Sequence, residues 1–428
     1  MFALNRRCFL HSAAVWPLLS INRLSGETPS TGIANPALSP FDDLLTSFIE
    51  KHKVPGAALA VSRNGKLVYA RGYGYADVEK KLPVRPTSLF RIASVSKPFT
   101  GVAVMQLVER RKIGLDDLVL KHIKLMPHLE RKAEVDPRWK TITVRQCLQH
   151  TGGWDRDKSF DPIGIPHQIA RALKIAPNVS PDAIVRYMMG KPLDFDPGSK
   201  YAYSNLGYLV LSRVMEAVTG DSYEAFVKKE IFGEVGIKEM SLARDLQEKR
   251  PKNEVKYYTT IKGTEACLYP PRVGEQVSWP EGASNVEGYE AHGGWISSAP
   301  DLLRFACAFD QPAKCPLLKP DTIMTMFARP DGAPGHDAKG KPKTSYYGCG
   351  WSVVDLGRDR LNTWHTGYIP GQNSILVRRF DGINWAVLFN IERNPNGQNL
   401  TGLIDGRMHE AADAVKKWPD HDLFGKEL

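Results

Sequence analysis

The chain has 428 residues, 42% of them hydrophobic, and a formal net charge of +10. This is enough to fill a sizeable core, in two or three lobes or in one large α/β unit with an insertion, and it excludes a disordered or fibrous protein. Lysine and arginine are spread along the chain without a run of five or six, and no nucleic-acid motif is present, so the charge reads as a solvated surface and no nucleic-acid partner is expected.

Asn5-Arg6-Arg7-Cys8-Phe9-Leu10 stands directly before an apolar stretch from Ala13 to Ile21 that Trp16-Pro17 interrupts. This is the pattern of a bacterial twin-arginine export signal. Residues 1–30 are therefore read as signal and linker, and the mature protein as periplasmic or secreted. No later stretch reaches about 18 apolar residues, so no integral membrane segment is expected after signal removal. The Ser-, Thr-, Gly- and Pro-rich residues 25–38 read as linker, and order is expected to begin at Ser39-Pro40, with Ser39 as helix cap, Pro40 in the first turn and Asp42 three residues after the cap. From there Phe41, Leu44, Leu45, Phe48 and Ile49 share one helical face.

Two strand-like runs, Ala57 to Arg63 and Lys66 to Tyr73, flank Asn64-Gly65, a two-residue turn in which both positions need positive φ. A second hairpin, Asn373 to Arg379 and Ile383 to Ile391, turns at Asp381-Gly382, and a last helix runs from Leu400 to Lys417. Between the hairpins lie helical patterns at Thr100 to Lys112, Val144 to His150, Pro181 to Met189, Leu206 to Thr219 and Tyr223 to Phe232. The predicted fold class is α/β of the α+β type. One antiparallel sheet is built from both ends of the chain, with flanking helices and a mainly helical insertion. Residues 39–93 and 285–420 supply the sheet part, residues 94–284 the helical part, and a cleft between them is the place for a site.

Once Cys8 leaves with the signal, Cys147, Cys267, Cys307, Cys315 and Cys349 remain, so at least one thiol is unpaired. Cys307 and Cys315 are near enough in sequence to pair in an oxidising compartment. There is no C-x-x-C and no H-E-x-x-H, so no metal site and no cofactor are implied.

Three short motifs can carry chemistry. In Ser94-Val95-Ser96-Lys97, which follows Leu89-Phe90-Arg91-Ile92 and opens an apolar helix, Ser94 and Lys97 sit one turn apart on one face. The helix dipole favours negative charge near Ser94, and a lysine packed in an apolar helix can have its pKa lowered and move protons. Read alone, this is a capping serine with an exposed lysine. Tyr203-Ser204-Asn205 precedes a helix. Tyr203 could take a proton if nearby cations depress its pKa, and Asn205 could hold a substrate amide or the lysine ammonium. Read alone, this is an aromatic packing residue beside a cap. In His365-Thr366-Gly367, placed where a strand should lie, Gly367 would let substrate approach the backbone and His365 could donate to a substrate carbonyl or carboxylate. His150-Thr151-Gly152 has the same letters, but it closes a helical run and precedes the tyrosine motif, so its expected role is structural.

The ordered set Ser94, Tyr203, His365 resembles the class C β-lactamase and penicillin-binding-protein-like serine hydrolases, a group that includes D-alanyl-D-alanine carboxypeptidases, D-aminopeptidases and related carboxylesterases. Val54-Pro55-Gly56-Ala57, Ile142-Thr143-Val144-Arg145 and the stretch from Gly293 to Leu302 support it, and it spans roughly residues 40–395. The resemblance implies that Ser94 is an acyl-forming nucleophile and that Lys97 and Tyr203 share the general-base work. It also implies an oxyanion hole made by the backbone N–H groups of Ser94 and Tyr368. His365 stands where the class C enzymes usually carry the lysine of Lys-Thr-Gly. A histidine is mostly neutral at pH 7, so efficient β-lactam hydrolysis is not expected. No G-x-S-x-G is present, which excludes a nucleophile elbow. The reading is a serine hydrolase acting on small esters, amides or D-amino-acid peptides. A β-lactamase is the alternative, and a non-catalytic binding protein the rival of another class. Trp154, Tyr208, Trp295 and Tyr368 are candidate pocket walls, and the segment from Lys252 to Glu290 a lid or a surface loop.

Overall fold

Along Gly56–Arg63 and Ile383–Phe389 the side chains alternate between two faces, as the two-residue period of a strand requires. Ala58, Ala60, Ala386 and Leu388 enter one core, while Ala57, Leu59, Val61, Trp385, Val387 and Phe389 enter another. Strands with two apolar faces belong in the middle of a covered sheet. There they pair antiparallel with each other, Ala60 opposite Ala386. The computed structural model describes residues 28–130, 134–426 and 428. In it these strands lie at the centre of a nine-stranded sheet.

From one edge the order is Ser30–Thr31, Lys66–Asp77, Gly56–Arg63, Ile383–Phe389, Gln372–Arg378, Leu361–Ile369, Ser352–Asp355 and Ser345–Tyr347, with Leu82–Pro83 pairing separately onto Lys66–Asp77. The neighbouring strands are antiparallel and come from both ends of the chain, as the two hairpins predicted. Asn64 and Gly65 adopt φ of 49° and 80° at the first turn.

Helices Ser39–His52 and Leu400–Ala414 cover one face of the sheet through Phe41, Leu45, Phe48, Leu400, Ile404 and Met408. Each such fully buried side chain contributes roughly 1.5–3 kcal/mol. On the other face the small Ala58, Ala60, Ala70 and Ala386 share a core with Leu302, Leu303 and Ala306 of helix Ala299–Cys307. The same core continues into the helical layer, which includes Lys97–Glu109, Pro181–Met189 and Asn205–Thr219.

Four expectations change. The chain joins the sheet before Ser39: Ser30 and Thr31 pair with Tyr73 and Gly72, and Thr31 Oγ1 donates to the Val84 carbonyl at 2.6 Å. Edge pairing orders a segment whose composition reads as linker. Ser39 is the first helical residue, not the cap; a short turn Pro36–Leu38 capped by Asn35 leads into it. Cys307 and Cys315 are unpaired, and the Cys307 thiol donates to Ser62 Oγ at 3.1 Å. The segment from Lys252 to Glu290 is neither a bare loop nor a simple lid. It forms a ribbon, Glu265–Ala266 with Gln276–Val277, over its own small core of Cys267, Leu268 and Tyr269. The twin-arginine motif lies outside the described residues. Among those described, no helix is long and apolar enough to cross a membrane.

One close contact fixes the sheet against the turn that carries Ser94. Ser352–Asp355 pairs only with residues 361–364 of its neighbour, so that pairing ends short of His365 to Ile369. There Ser374 Oγ donates to the Ile92 carbonyl at 2.9 Å, and a Cβ on Gly367 would stand 2.1 Å from that same oxygen. Gly367 is thus small because the chain's own Ile92 carbonyl approaches it, not because substrate does. An alanine would have to push the strand away from the serine turn.

Candidate active site

The helix Lys97–Glu109 is buried on all sides from Lys97 to Leu107, so its polar side chains must find partners inside the protein. Thr100 Oγ1 donates to the Ala291 carbonyl at 2.6 Å, and Ser96 Oγ accepts from the Trp295 N–H at 3.3 Å. These bonds hold the segment from Glu290 to Trp295 against the start of the helix. Ser94 lies in the tight turn Ala93–Ser96 between strand Phe90–Arg91 and this helix, and Ala93 takes a φ of 46° to make the turn.

Lys97 Nζ is the centre of the site. It lies 3.0 Å from Ser94 Oγ, 2.8 Å from Asn205 Oδ1 and 2.8 Å from the His292 carbonyl oxygen. Burial drives its pKa well below the ordinary lysine range; the nearby Asp161 carboxylate opposes this and the Arg156 guanidinium adds to it. A neutral amine has two N–H donors and one lone pair. The Asn205 and His292 oxygens can only accept, so they take both donors. The lone pair is left for the Ser94 hydroxyl proton.

Asn205 opens helix Asn205–Thr219, whose cap is Ser204 Oγ accepting from the Gly207 N–H. Its amide nitrogen donates to Asp161 Oδ2 at 2.7 Å, which turns its oxygen toward Lys97. Of the two roles the sequence left open, the structure shows the lysine-holding one. Tyr203 lies beside Lys97, with Nζ 4.8 Å and the Arg156 Cζ 4.6 Å from its ring centroid. The condition set for Tyr203 as a base, that nearby cations depress its pKa, is not met. Burial dominates and pushes the phenol up, and its contact with the Ser94 hydroxyl and the Arg156 charge only partly oppose this. Tyr203 therefore carries its proton at neutral pH.

His365 is corrected as well. Its Nδ1 is 2.7 Å from the Thr366 carbonyl oxygen, which can only accept, so Nδ1 bears the hydrogen. Its Nε2 then accepts from the Tyr347 hydroxyl at 2.9 Å. Burial lowers its pKa to about 3, and Lys97 adds to this when it is protonated. The ring is neutral, both nitrogens are engaged, and no donor is left for a substrate. Thr366 contributes its carbonyl to this arrangement. Tyr368 stands at the mouth of the cleft, 40% exposed, and accepts from Arg393 Nε at 2.9 Å.

Ser94 opens into a cavity of about 100 Å³ lined by Asn205, Arg156, Asp161, Ile163, Tyr289, Tyr368 and Ile369 among others. Larger cavities, of about 580 and 410 Å³, are lined by none of the motif residues. Of the expected pocket walls only Tyr368 is one. Trp154 packs on Trp139 with centroids 5.1 Å apart, Trp295 donates to the Tyr223 hydroxyl at 2.9 Å, and Tyr208 donates to the Leu148 carbonyl at 2.8 Å. These three lie in the core.

His150 is structural, as expected, yet next to the site. Its Nδ1 accepts from the Ser204 N–H at 3.2 Å, and its ring lies 4.2 Å from that of Tyr203 and 4.4 Å from that of Tyr347. Sequence reasoning missed Arg156, Asp161, Tyr347 and the His292 carbonyl. The first two follow the His150-Thr151-Gly152-Gly153 loop by a few residues, and that proximity was the available signal. Tyr347 carried none. Among the described residues no group of three or more His, Cys, Asp or Glu could hold a metal ion.

A serine, a buried amine and a phenol at one cleft, between an antiparallel sheet and a helical layer, define a family. Residues 41–405 match the Beta-lactamase family, and the chain belongs to it. It is similar to Penicillin-binding protein 4* of Bacillus subtilis (strain 168), 28% identical over 380 residues that cover 88% of this chain and 74% of that one. It is 32% identical to Protein flp of Staphylococcus aureus (strain COL) over 196 residues, 46% of this chain, and spans only 36% of that protein's length. In fold it resembles EstCE1, a hydrolase with promiscuous acyltransferase activity, with a TM-score of 0.66, 21% identity, and coverage of 89% of this chain and 99% of that one.

The Lys97 environment predicts the acid limb of activity. If Lys97 takes the serine proton it must do so as the neutral amine, and kcat/KM is then expected to fall as pH drops through the Lys97 pKa. Asp161 raises that pKa. Asp161→Asn keeps an oxygen for the Asn205 amide and removes the charge. In p-nitrophenyl acetate hydrolysis the limb should move to lower pH; a limb that stays or moves up contradicts the assignment.

Proposed function

We propose that the chain hydrolyses small esters, amides or D-amino-acid peptides through an acyl-enzyme on Ser94. The observation that carries this is the fully buried Lys97 Nζ, 3.0 Å from Ser94 Oγ and 2.8 Å from both the Asn205 Oδ1 and the His292 carbonyl oxygen. Lys97 takes the Ser94 proton as the oxygen attacks the acyl carbon. Tyr203, protonated and beside both groups, passes a proton to the leaving group and recovers one from the amine. This divides between two residues the work that the motif alone left shared. The backbone N–H groups of Ser94 and Tyr368 receive the oxyanion, a contribution of about 3 to 4 kcal/mol per donor in such sites.

The substrate range follows from the cavity. About 100 Å³ admits a small acyl group. His365 offers neither a cation nor a free donor, which argues against efficient β-lactam turnover.

A fluorophosphonate probe should label the wild type and not Ser94→Ala, and the variant should lose turnover by on the order of 10⁴-fold or more. Among p-nitrophenyl acetate, nitrocefin and a D-alanyl-D-alanine peptide, the ester or the peptide should be turned over faster than nitrocefin. Faster nitrocefin turnover would make the chain a β-lactamase, and no turnover of any of them by folded, unlabelled protein would favour a binding role.

We also propose that the protein acts outside the cytoplasm, on the strength of Arg6-Arg7 before the apolar run. In a bacterial host with the twin-arginine route, replacing both arginines by lysine should leave the protein in the cytoplasmic fraction. Unaltered export of the double variant would refute that route.

A further inference from the structure

The His292 carbonyl that Lys97 holds belongs to a short helix, Glu290–Gly293, anchored away from the serine cavity. Glu290 opens this helix with a φ of 34°. Residues other than glycine rarely adopt such a backbone and keep it only where neighbouring contacts enforce it. The contact is Arg213, whose Nη2 donates to Glu290 Oε2 at 2.5 Å. Neither residue lines the cavity at Ser94. The next carbonyl, of Ala291, accepts from Thr100 Oγ1 at 2.6 Å, and the one after it, of His292, accepts from Lys97 Nζ at 2.8 Å. Arg213 sits on helix Asn205–Thr219, whose first residue also holds Lys97. One helix thus fixes two acceptors of the same amine, Asn205 directly and His292 through the Arg213–Glu290 pair.

Resting on the acyl-enzyme reading above, we propose that Glu290 is a positioning residue for that reaction: its ionised carboxylate, gripped by Arg213, holds the turn that presents the His292 carbonyl to Lys97, and protonation of Glu290 releases that turn. The pair is poised because Arg213 is shared. Its Nη1 also lies 2.9 Å from Asp182 Oδ1 and 2.8 Å from Glu216 Oε2, so one guanidinium, 11% exposed, serves three carboxylates. The charged and titratable groups facing Glu290 are Arg213 and Glu216 from helix Asn205–Thr219, Asp182 from helix Pro181–Met189, and Tyr223 and Glu224 from helix Tyr223–Val227. Lys97 and His292 stand on the side of the site. Lys228 is taken up by Glu224 at 2.7 Å, and His122 and Lys124 share an outer cavity with Asp182, Arg213 and Glu216. Burial pushes the Glu290 carboxyl up, Arg213 opposes this, and Glu216, Asp182 and Glu224 add to it, which leaves it at about 7.

His292-Gly293 is the one His-Gly pair in the sequence. Protein carrying ¹³C-carbonyl histidine and ¹⁵N-glycine therefore gives a single HNCO peak, and that peak reports the carbonyl that Lys97 holds. In the wild type its ¹³C shift should move with a midpoint of about 7 in pH. In Glu290→Gln the shift at about pH 8 should be that of the wild type at about pH 6. The variant should lose about ten- to hundredfold in kcat for p-nitrophenyl acetate at about pH 8, with KM unchanged. A carboxyl whose pKa folding raises adds stability at low pH that is lost as pH rises through the folded value. Removing the Glu290 charge should therefore leave the melting temperature at about pH 8 no lower than that of the wild type. A carbonyl shift indifferent to both pH and the substitution overturns the proposal. So does a shifted carbonyl with kcat intact, or a fall in kcat that comes with a lower melting temperature. If the carbonyl responds and no ester is turned over by the wild type, the positioning role stands and the acyl-enzyme reading alone has failed. If esters are hydrolysed and the carbonyl does not respond, only the positioning role has failed.

Discussion

The site depends on keeping one amine dry. Lys97 is held at the start of a helix that is buried on every side, and burying a charge there without a carboxylate in contact is costly. The protein meets that cost by favouring the neutral amine. Asn205 and His292 supply two acceptors, enough to satisfy both N–H groups of the neutral form and to aim its lone pair at Ser94. The groups that tune the amine, Asp161 and Arg156, act from the cavity side with opposite signs. The same dry environment keeps the Tyr203 phenol protonated, so one lysine and one tyrosine take up complementary protonation states from a single cause.

The fold supplies this environment by bringing distant segments to one point. Lys97 and Ser94 come from one turn, Asn205 and Tyr203 from a helix start more than a hundred positions later, and His292 from a short helix later still. Gly367 lets a sheet strand reach the Ile92 carbonyl next to the serine turn. Thr100 and Ser96 tie the segment around His292 to the helix that begins at Lys97. A displacement of any one of these would return water or an unpaired acceptor to the amine.

Much of this was legible in the sequence. The two hairpins, with Asn64-Gly65 and Asp381-Gly382 at their turns, foretold a sheet from both chain ends, and the Ser94, Lys97 and Tyr203 motifs converge as their order suggested. What escaped reading has physical reasons. Edge pairing of Ser30 and Thr31 depends on a strand forty residues away, which composition cannot show. The role of His365 was misjudged because a sequence gives no partner for its ring, and Tyr347, which occupies Nε2, lies in a strand without any local signal. Tyr203 was read as a base on the condition that cations acidify it, but burial outweighs them, and burial is a tertiary property. Arg156 and Asp161 sit in an irregular loop, where spacing carries no geometry.

Burial is expected to make Lys97 give up its proton well below the pH at which the other lysines do. This is tested most directly by NMR of protein carrying lysine labelled with ¹³C at Cε, the Lys97 signal being identified by its loss in Lys97→Met. The Lys97 Cε resonance should reach the chemical shift of a neutral amine well below the pH at which the other lysines titrate. A resonance that stays at the ammonium shift up to the pH where surface lysines titrate would contradict it.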